Sequence, residues 1–327
     1  MKESIYLCVE IYYYIQCFNE IPKFLHMDRL IRKIRLLLLA KRRRSRPGPV
    51  PFVRRFSYKD LKRATDGFRR IIYSDSHGAA YKAKFQDGRV ALVKEVRGFN
   101  QGNDVFHREV QLLGRLHHRH LLALRGFSTE HKRLLVFDNI ENGSLKEHLN
   151  DPLKTPLNWR TRLQIAIGVA AALEYLLLFN DPPMYHVSIS SSNIMLDENL
   201  TVKLSDVGLL SSGGKYVTAQ HASCSEDCMG QECGNIIFQL GVLILELVTG
   251  QSSENGGADL IQWVQELRFG RSMHKMIDPD LGNNYDSREL RNLLAVAKMC
   301  TKSGDKPTFT VPQLFRYLQN KVDIPQE

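Results

Sequence analysis

Strand-type sequence comes first in this chain and helix-type sequence second. That segregation limits the fold more than any other feature. Residues 71 to 140 read as strands interrupted by one helix. Val90 to Val93 and Leu134 to Phe137 are short apolar runs of strand length, whereas Val105, Phe106, Leu112, Leu113 and Leu116 fall on one helical face. After Gly143 the pattern turns helical, with long apolar segments at Leu163 to Phe179 and Ile236 to Val248. Strands in one block and helices in the next give an α+β fold with a strand-rich lobe and a helical lobe, joined near Asp138. A chain of 327 residues, 43% hydrophobic and 24% charged, has the length and composition to bury such a core.

The formal net charge is +10, but the excess is local. Residues 29 to 55 hold Arg29, Arg32, Lys33, Arg35, Lys41, Arg42, Arg43, Arg44, Arg46, Arg54 and Arg55, and no acid. Outside that segment 34 basic residues face 35 acidic ones, so the body is almost neutral. A nucleic-acid-binding domain would spread positive charge over a folded face, so nucleic acid is not an expected partner. Within the arm, Leu30, Ile31, Ile34, Leu37 and Leu38 follow helical spacing, and Pro47-Gly48-Pro49-Val50-Pro51 ends any helix. A basic amphipathic segment of this kind suits an anionic membrane surface; a solvated linker explains the same residues. Residues 1 to 28 form a weakly ordered, aromatic-rich leader, with an interfacial anchor and a natural start at Met27 as alternatives. No run reaches the ~18 apolar residues of a membrane span.

The stretch Tyr185-His186-Val187-Ser188-Ile189-Ser190-Ser191-Ser192-Asn193 carries the chemistry-bearing pattern. It resembles a protein-kinase catalytic loop, in which H-R-D is followed by four residues and then Asn. His186 and Asn193 stand at the right spacing. Val187 replaces the Arg, Ser188 the catalytic Asp and Ser190 the loop Lys that holds the transferred phosphate. The run Phe56-Ser57-Tyr58-Lys59-Asp60-Leu61 and the motifs Leu116-His117-His118-Arg119-His120-Leu121, Glu141-Asn142-Gly143-Ser144-Leu145 and Gly241-Val242-Leu243-Ile244-Leu245-Glu246 are similar to plant receptor-like and receptor-like cytoplasmic Ser/Thr kinases. The resemblance covers roughly residues 56 to 320. It implies a kinase-like N-lobe over 56–137, a C-lobe over 138–322 and a tail at 323–327.

By that resemblance Lys94 would contact nucleotide phosphates, Glu109 would pair with Lys94, and Asn193 and Asp206 would hold Mg²⁺ if a nucleotide binds. A structural Lys94–Glu109 pair and a turn role for Asp206 explain the same residues. The glycine-rich loop is reduced to Gly78, in the stretch Tyr73-Ser74-Asp75-Ser76-His77-Gly78. Tyr73 adds bulk there, and Asp75 places negative charge where a polyanion would lie. Ala80 replaces the Val that covers adenine, and Leu92 replaces the small residue that leaves room for it. Leu92 either narrows the adenine slot or is a neutral core substitution. Asp206-Val207-Gly208 stands for D-F-G, and no A-P-E motif lies between Gly208 and Gly241. Lys306-Pro307 stands for the usual Arg-Pro, and the Glu that would pair with that Arg is missing too.

These losses imply a pseudokinase with no intact catalytic residue and no required cofactor, in which ATP with Mg²⁺ binds weakly or not at all. It would signal by contact with active receptor-like kinases or their substrates. Its place would be cytoplasmic, peripheral at the inner face of the plasma membrane through residues 29–55. The alternatives are a weak Ser/Thr kinase and, from another class, a basic membrane or nucleic-acid tether with an inert domain. The six cysteines, Cys8, Cys17, Cys224, Cys228, Cys233 and Cys300, are too scattered for a disulfide framework. The spacing of Cys224, Cys228 and Cys233 fits free loop thiols better than a zinc site, which needs four tetrahedral ligands.

Overall fold

The structure is a computed structural model and describes residues 53–75, 78–96, 103–180, 183–208, 226–253, 257–266, 276–302 and 310–321. The leader, the arm up to residue 52 and the tail lie outside the described residues. The chain divides into two compact units, one drawing on Pro47–Thr155 and Met184–Ser225, the other on Pro156–Pro183 and Glu226–Glu327.

The first unit is built on a six-stranded sheet. Its strands are β1 (Arg54–Arg55), β2 (Ile71–Asp75), β3 (Gly78–Lys84), β4 (Val90–Val96), β5 (Leu124–Ser128) and β6 (Leu134–Phe137), ordered β1-β5-β6-β4-β3-β2. All pairs are antiparallel except β1 with β5, where Arg54 and Arg55 face Gly126 and Phe127. The last two residues of the basic arm are therefore stitched into the sheet. Side chains alternate across the strands. Ala79, Tyr81, Ala83, Ala91, Val93, Leu134 and Val136 form one buried cluster with Leu61 and Ala64 of helix α1 (Tyr58–Ala64). Helix α1 starts where the Ser57 hydroxyl accepts the Asp60 N–H at 3.1 Å, an N-cap. Leu61 and Ala64, three residues apart, share its buried face. Helix α2 (Asn103–Leu113) buries Phe106, whose ring lies 6.3 Å from that of Phe127 on β5.

The same unit contains α3 (Leu145–Asn150) and the hairpin β7 (Ile194–Leu196) with β8 (Val202–Leu204). Ser144 and Glu147 form a reciprocal capping box at the start of α3. The division placed at Asp138 on sequence grounds thus crosses a compact unit. Residues 138–155 and 184–208 belong to the sheet's unit, and backbone bonds tie β8 to the segment leading into β5: Leu204 N–H donates to the His120 carbonyl at 2.9 Å, and Leu122 N–H donates to the Leu204 carbonyl at 3.1 Å.

The second unit is helical: α4 (Trp159–Leu178), α5 (Glu226–Thr249), α6 (Ala258–Glu266), α7 (Ser287–Cys300) and α8 (Val311–Lys321). The two longest helices contain the apolar segments read from sequence almost whole: α4 starts four residues earlier and stops one short of Phe179, and α5 extends its segment at both ends. Both are long and apolar enough to cross a membrane, yet about two thirds of each (67%) is buried inside the protein. Helix α5 begins at Glu226, so Cys228 and Cys233 stand on a helix and not in a loop. No proline interrupts residues 226–249, and the helix propagates back from its apolar half. A Cβ at Gly241 would lie 2.6 Å from the Cβ of Cys300, so glycine there permits the close approach of α5 and α7.

One charge sits deep in this unit. Arg162 is 2% exposed; its guanidinium donates to the carbonyls of Leu157 (2.8 Å) and Leu247 (3.0 Å) and pairs with Asp278 at 2.7 Å. Each of the three guanidinium nitrogens has a partner, which is how a buried guanidinium becomes tolerable. Arg162→Ala would leave Asp278 without its cation and expose two carbonyls. The expected loss is about 3–5 kcal/mol, read as a lower urea midpoint. An unchanged midpoint would contradict this view of the pair.

Candidate functional site

Alternation along β4 puts Leu92 and Lys94 on the face opposite the α1 cluster. Ladder partners continue that face: Ala80 opposite Lys94, Phe137 opposite Leu92, and Leu135 opposite Lys94. Ala80, Leu92, Leu135 and Phe137 are all buried, Leu92 to 4% exposure. Leu92 thus shares a strand face with Lys94, as the adenine-slot reading requires.

The loop before β7 meets the turn after β8 through two valines. Val187 and Val207, standing where the family has Arg and Phe, form an antiparallel bridge, and both are buried. Ser188 N–H donates to the Asp206 carbonyl at 3.1 Å, and Gly208 N–H donates to His186 at 2.9 Å. Gly208 has φ of +111°, and a Cβ there would collide with the Glu109 carboxylate. A glycine is therefore required where α2 meets the Asp206-Val207-Gly208 turn. Glu109 itself is fully buried.

These elements bring Lys94, Asp206, Asn193 and Ser188 into one polar cluster. Lys94 Nζ lies 3.4 Å from Asp206 Oδ1. Asn193 Nδ2 donates to Ser188 Oγ at 3.0 Å and reaches Asp206 Oδ2 at 3.5 Å. Ser205 fixes the Asn193 backbone, whose carbonyl accepts both the Ser205 hydroxyl (2.8 Å) and its N–H (3.0 Å). Asp206 is the cluster's carboxylate and already has two partners. Ser188 supplies a hydroxyl that accepts from Asn193, and a hydroxyl is no carboxylate base near neutral pH. Asp206 and Asn193 offer the oxygen donors that Mg²⁺ takes. The β2–β3 hairpin, where phosphates would be cradled, keeps Gly78 alone, with Asp75 as its ladder partner. The donor set fits a metal-bound nucleotide only in part.

Ser190 is half-buried; its carbonyl accepts from Asn193 and Ile194 N–H, shaping the loop. Of the cysteines, Cys224 lies outside the described residues, as does His221. Burial pushes the Cys233 thiol up, with Glu232 adding to it, and burial alone pushes up Cys300. Among the described residues no three His, Cys, Asp or Glu side chains converge on a metal position.

His120 is a supporting residue that the motif Leu116 to Leu121 marked without revealing its task. Its Nδ1 lies 3.2 Å from the Val202 carbonyl, so that nitrogen carries the proton and donates. The carbonyl of His120 holds Leu204. Asn142, from another of the motifs, ties its loop to Asp197 by a 2.7 Å side-chain bond. Together they fix β8, which leads directly into Asp206.

The fold is that of a protein kinase domain. Residues 70–277 match the family model described as protein tyrosine and serine/threonine kinase, and the chain belongs to that family. Its relatives are plant receptor-like kinases. It is 37% identical over 298 residues to the probable receptor-like protein kinase At1g49730 of Arabidopsis thaliana, covering 83% of this chain and 44% of that protein. It is 33% identical to the probable serine/threonine-protein kinase PBL22 of the same plant, covering 78% and 73%. Among solved structures it is similar to the pseudokinase domain of BIR2, an immune regulator of the RLK/Pelle family: 29% identity, TM-score 0.69, covering 81% of this chain and 84% of that one. A second pseudokinase structure, GRMZM2G135359 without ligand, is 22% identical with TM-score 0.68 over 85% and 97%, a likeness of fold.

Burial lowers the His120 pKa to about 4, only partly offset by the Val202 carbonyl; His118, its ring 5.5 Å away, adds to the lowering. The unfolded chain, with an ordinary value near 6.5, binds this proton more readily. Stability is therefore full above about pH 6.5 and declines as pH falls toward 4. The expected contribution is about 3 kcal/mol over that window. His120→Asn keeps a donor for Val202 and removes the titration. Urea midpoints across the window should slope less steeply in the variant; parallel slopes would refute the assignment.

Proposed function

We propose that this chain is a pseudokinase that signals by binding partner kinases or receptors at the inner membrane face, with little or no phosphotransfer. The observation that carries this reading is Ser188 beside Asn193 and Asp206, where phosphotransfer needs a second carboxylate to orient the attacking hydroxyl. Loss of a general base costs about 10²–10⁴ in rate. Ser190 in place of the loop Lys and a hairpin reduced to one glycine, Gly78, remove two further parts, and such losses compound. Buried Leu92 and the charge of Asp75 oppose nucleotide, so ATP and Mg²⁺ bind weakly if at all and are not required.

The likeness to the BIR2 pseudokinase domain supports inactivity, and the receptor-like kinase relatives support signalling partners of that kind. The chain spans 44% of the length of At1g49730, so the activity of that whole protein is not carried over. The basic segment 29–55 supports a peripheral place on an anionic inner leaflet. The weak-kinase alternative is favoured by one observation, the convergence of Lys94, Asn193 and Asp206.

The test is a phosphotransfer assay on the purified full chain with Mg²⁺ or Mn²⁺. No transfer to itself or to generic substrates is expected. Ser188→Asp should not restore it, because the loop Lys and the glycines remain absent. Transfer that vanishes in Asp206→Ala would establish the weak kinase instead.

A further inference from the structure

A pocket of about 270 Å³ opens where β1, the start of α1 and the β3–β4 turn meet. None of its lining residues belongs to the Lys94–Asp206 cluster. Phe56 and Phe85 form its apolar wall, their ring centroids 5.5 Å apart. Four cations line it, Arg54, Arg63, Lys84 and Arg89, against two carboxylates, Asp60 and Asp87.

The charges are not equally committed. Arg89 pairs with Asp87 at 2.6 Å, and its guanidinium lies 6.0 Å over the Phe85 ring. Arg54 lies 5.2 Å over Phe56. Asp60 accepts the Ser57 hydroxyl at 2.8 Å. Arg63 and Lys84 are exposed and make no ion pair among the described residues. The frame that presents them is fixed. The β3–β4 turn is closed by Phe85 N–H to Arg89 carbonyl at 2.9 Å and Gly88 N–H to Phe85 carbonyl at 3.1 Å, and Arg54 is held in the sheet by β5. A pre-organised cationic pocket with an aromatic wall loses little entropy on taking a partner.

We infer that this pocket docks a peptide segment of a partner protein in which an acidic side chain stands next to an apolar one. The apolar side chain would lie on Phe56 and Phe85. The carboxylate would meet Arg63 and Lys84. Shape favours an acidic peptide over a lipid surface. Four cations face two carboxylates, of which Asp87 is already paired with Arg89, and a recess of about 270 Å³ admits one apolar side chain with a carboxylate beside it, whereas a membrane presents a broad face that cannot follow the recess. This inference names a binding surface for the contact signalling proposed above, but the binding itself does not depend on catalytic silence.

The experiment measures fluorescence anisotropy of labelled synthetic peptides with the full chain. One peptide alternates Asp and Glu around a central Leu and Phe; its control carries Lys at every acidic position. The acidic peptide should bind saturably and the Lys peptide should not. The double variant Arg63→Glu, Lys84→Glu should weaken the acidic peptide about tenfold or more, while Arg108→Glu, an exposed charge change on α2, should leave it unchanged. Co-sedimentation with phosphatidylserine vesicles should be the same for wild type and double variant, since the arm carries that attraction. Absence of saturable binding, or equal loss in Arg108→Glu, overturns the inference. So does a double variant that keeps the peptide and loses the vesicles, which would assign the pocket to lipid. Phosphotransfer by the wild type would refute the pseudokinase reading and leave the pocket standing.

Discussion

The carboxylate of Asp206 is the group on which the polar site depends. One oxygen faces Lys94 from the sheet, the other faces Asn193 from the loop, and the backbone carbonyl takes the Ser188 N–H. Both charged side chains are largely buried, 25% exposed for Lys94 and 16% for Asp206. Neither is tolerable there alone, since a desolvated charge without its partner costs several kcal/mol. The pair therefore has a structural reason to exist apart from any nucleotide. Such a pair can persist with Ser188, and not a carboxylate, beside Asn193. The Val187–Val207 bridge supports this view. Two positions given to Arg and Phe in the family now pair as small, buried, β-branched residues.

Strand alternation keeps chemistry and packing apart. On β4, Ala91 and Val93 belong to the cluster under α1, while Leu92 and Lys94 belong to the site. Substitutions on the site face leave the α1 cluster untouched. The helical unit is secured independently by Arg162 and Asp278. The sequence had pointed to a lost buried contact near Lys306-Pro307; that segment lies outside the described residues, and the buried pair found here is a different one. A body held by such separate contacts does not depend on the polar site for its folding.

Much of this was legible in sequence because it is periodic or local. The strand runs, the long apolar helices and the order of the motifs led to the kinase family, and β6 spans the apolar run Leu134 to Phe137. The convergence of Lys94, Asn193 and Asp206 followed from register with the family. What was not legible depends on contacts distant in sequence. Nothing local in Arg162 distinguishes a surface arginine from one buried against Leu247 and Asp278, 85 and 116 positions away. The support that His120 gives to β8 joins residues 82 apart. The helical position of Cys228 and Cys233 was missed because the residues before Ile236 carry no strong apolar period. The pocket on Phe56 and Phe85 arises only when the arm's last residues enter the sheet.

On the reading proposed above, Asp206, Lys94 and Asn193 are held for structure, and metal-bound nucleotide binds there weakly if at all. Isothermal titration of Mg-ATP into the full chain tests this most directly, with Leu92→Ala beside the wild type. The account predicts no saturable heat from the wild type, and none from Leu92→Ala, because the hairpin still lacks its glycines and keeps Asp75. Saturable binding by the wild type that is lost in Lys94→Ala would contradict it.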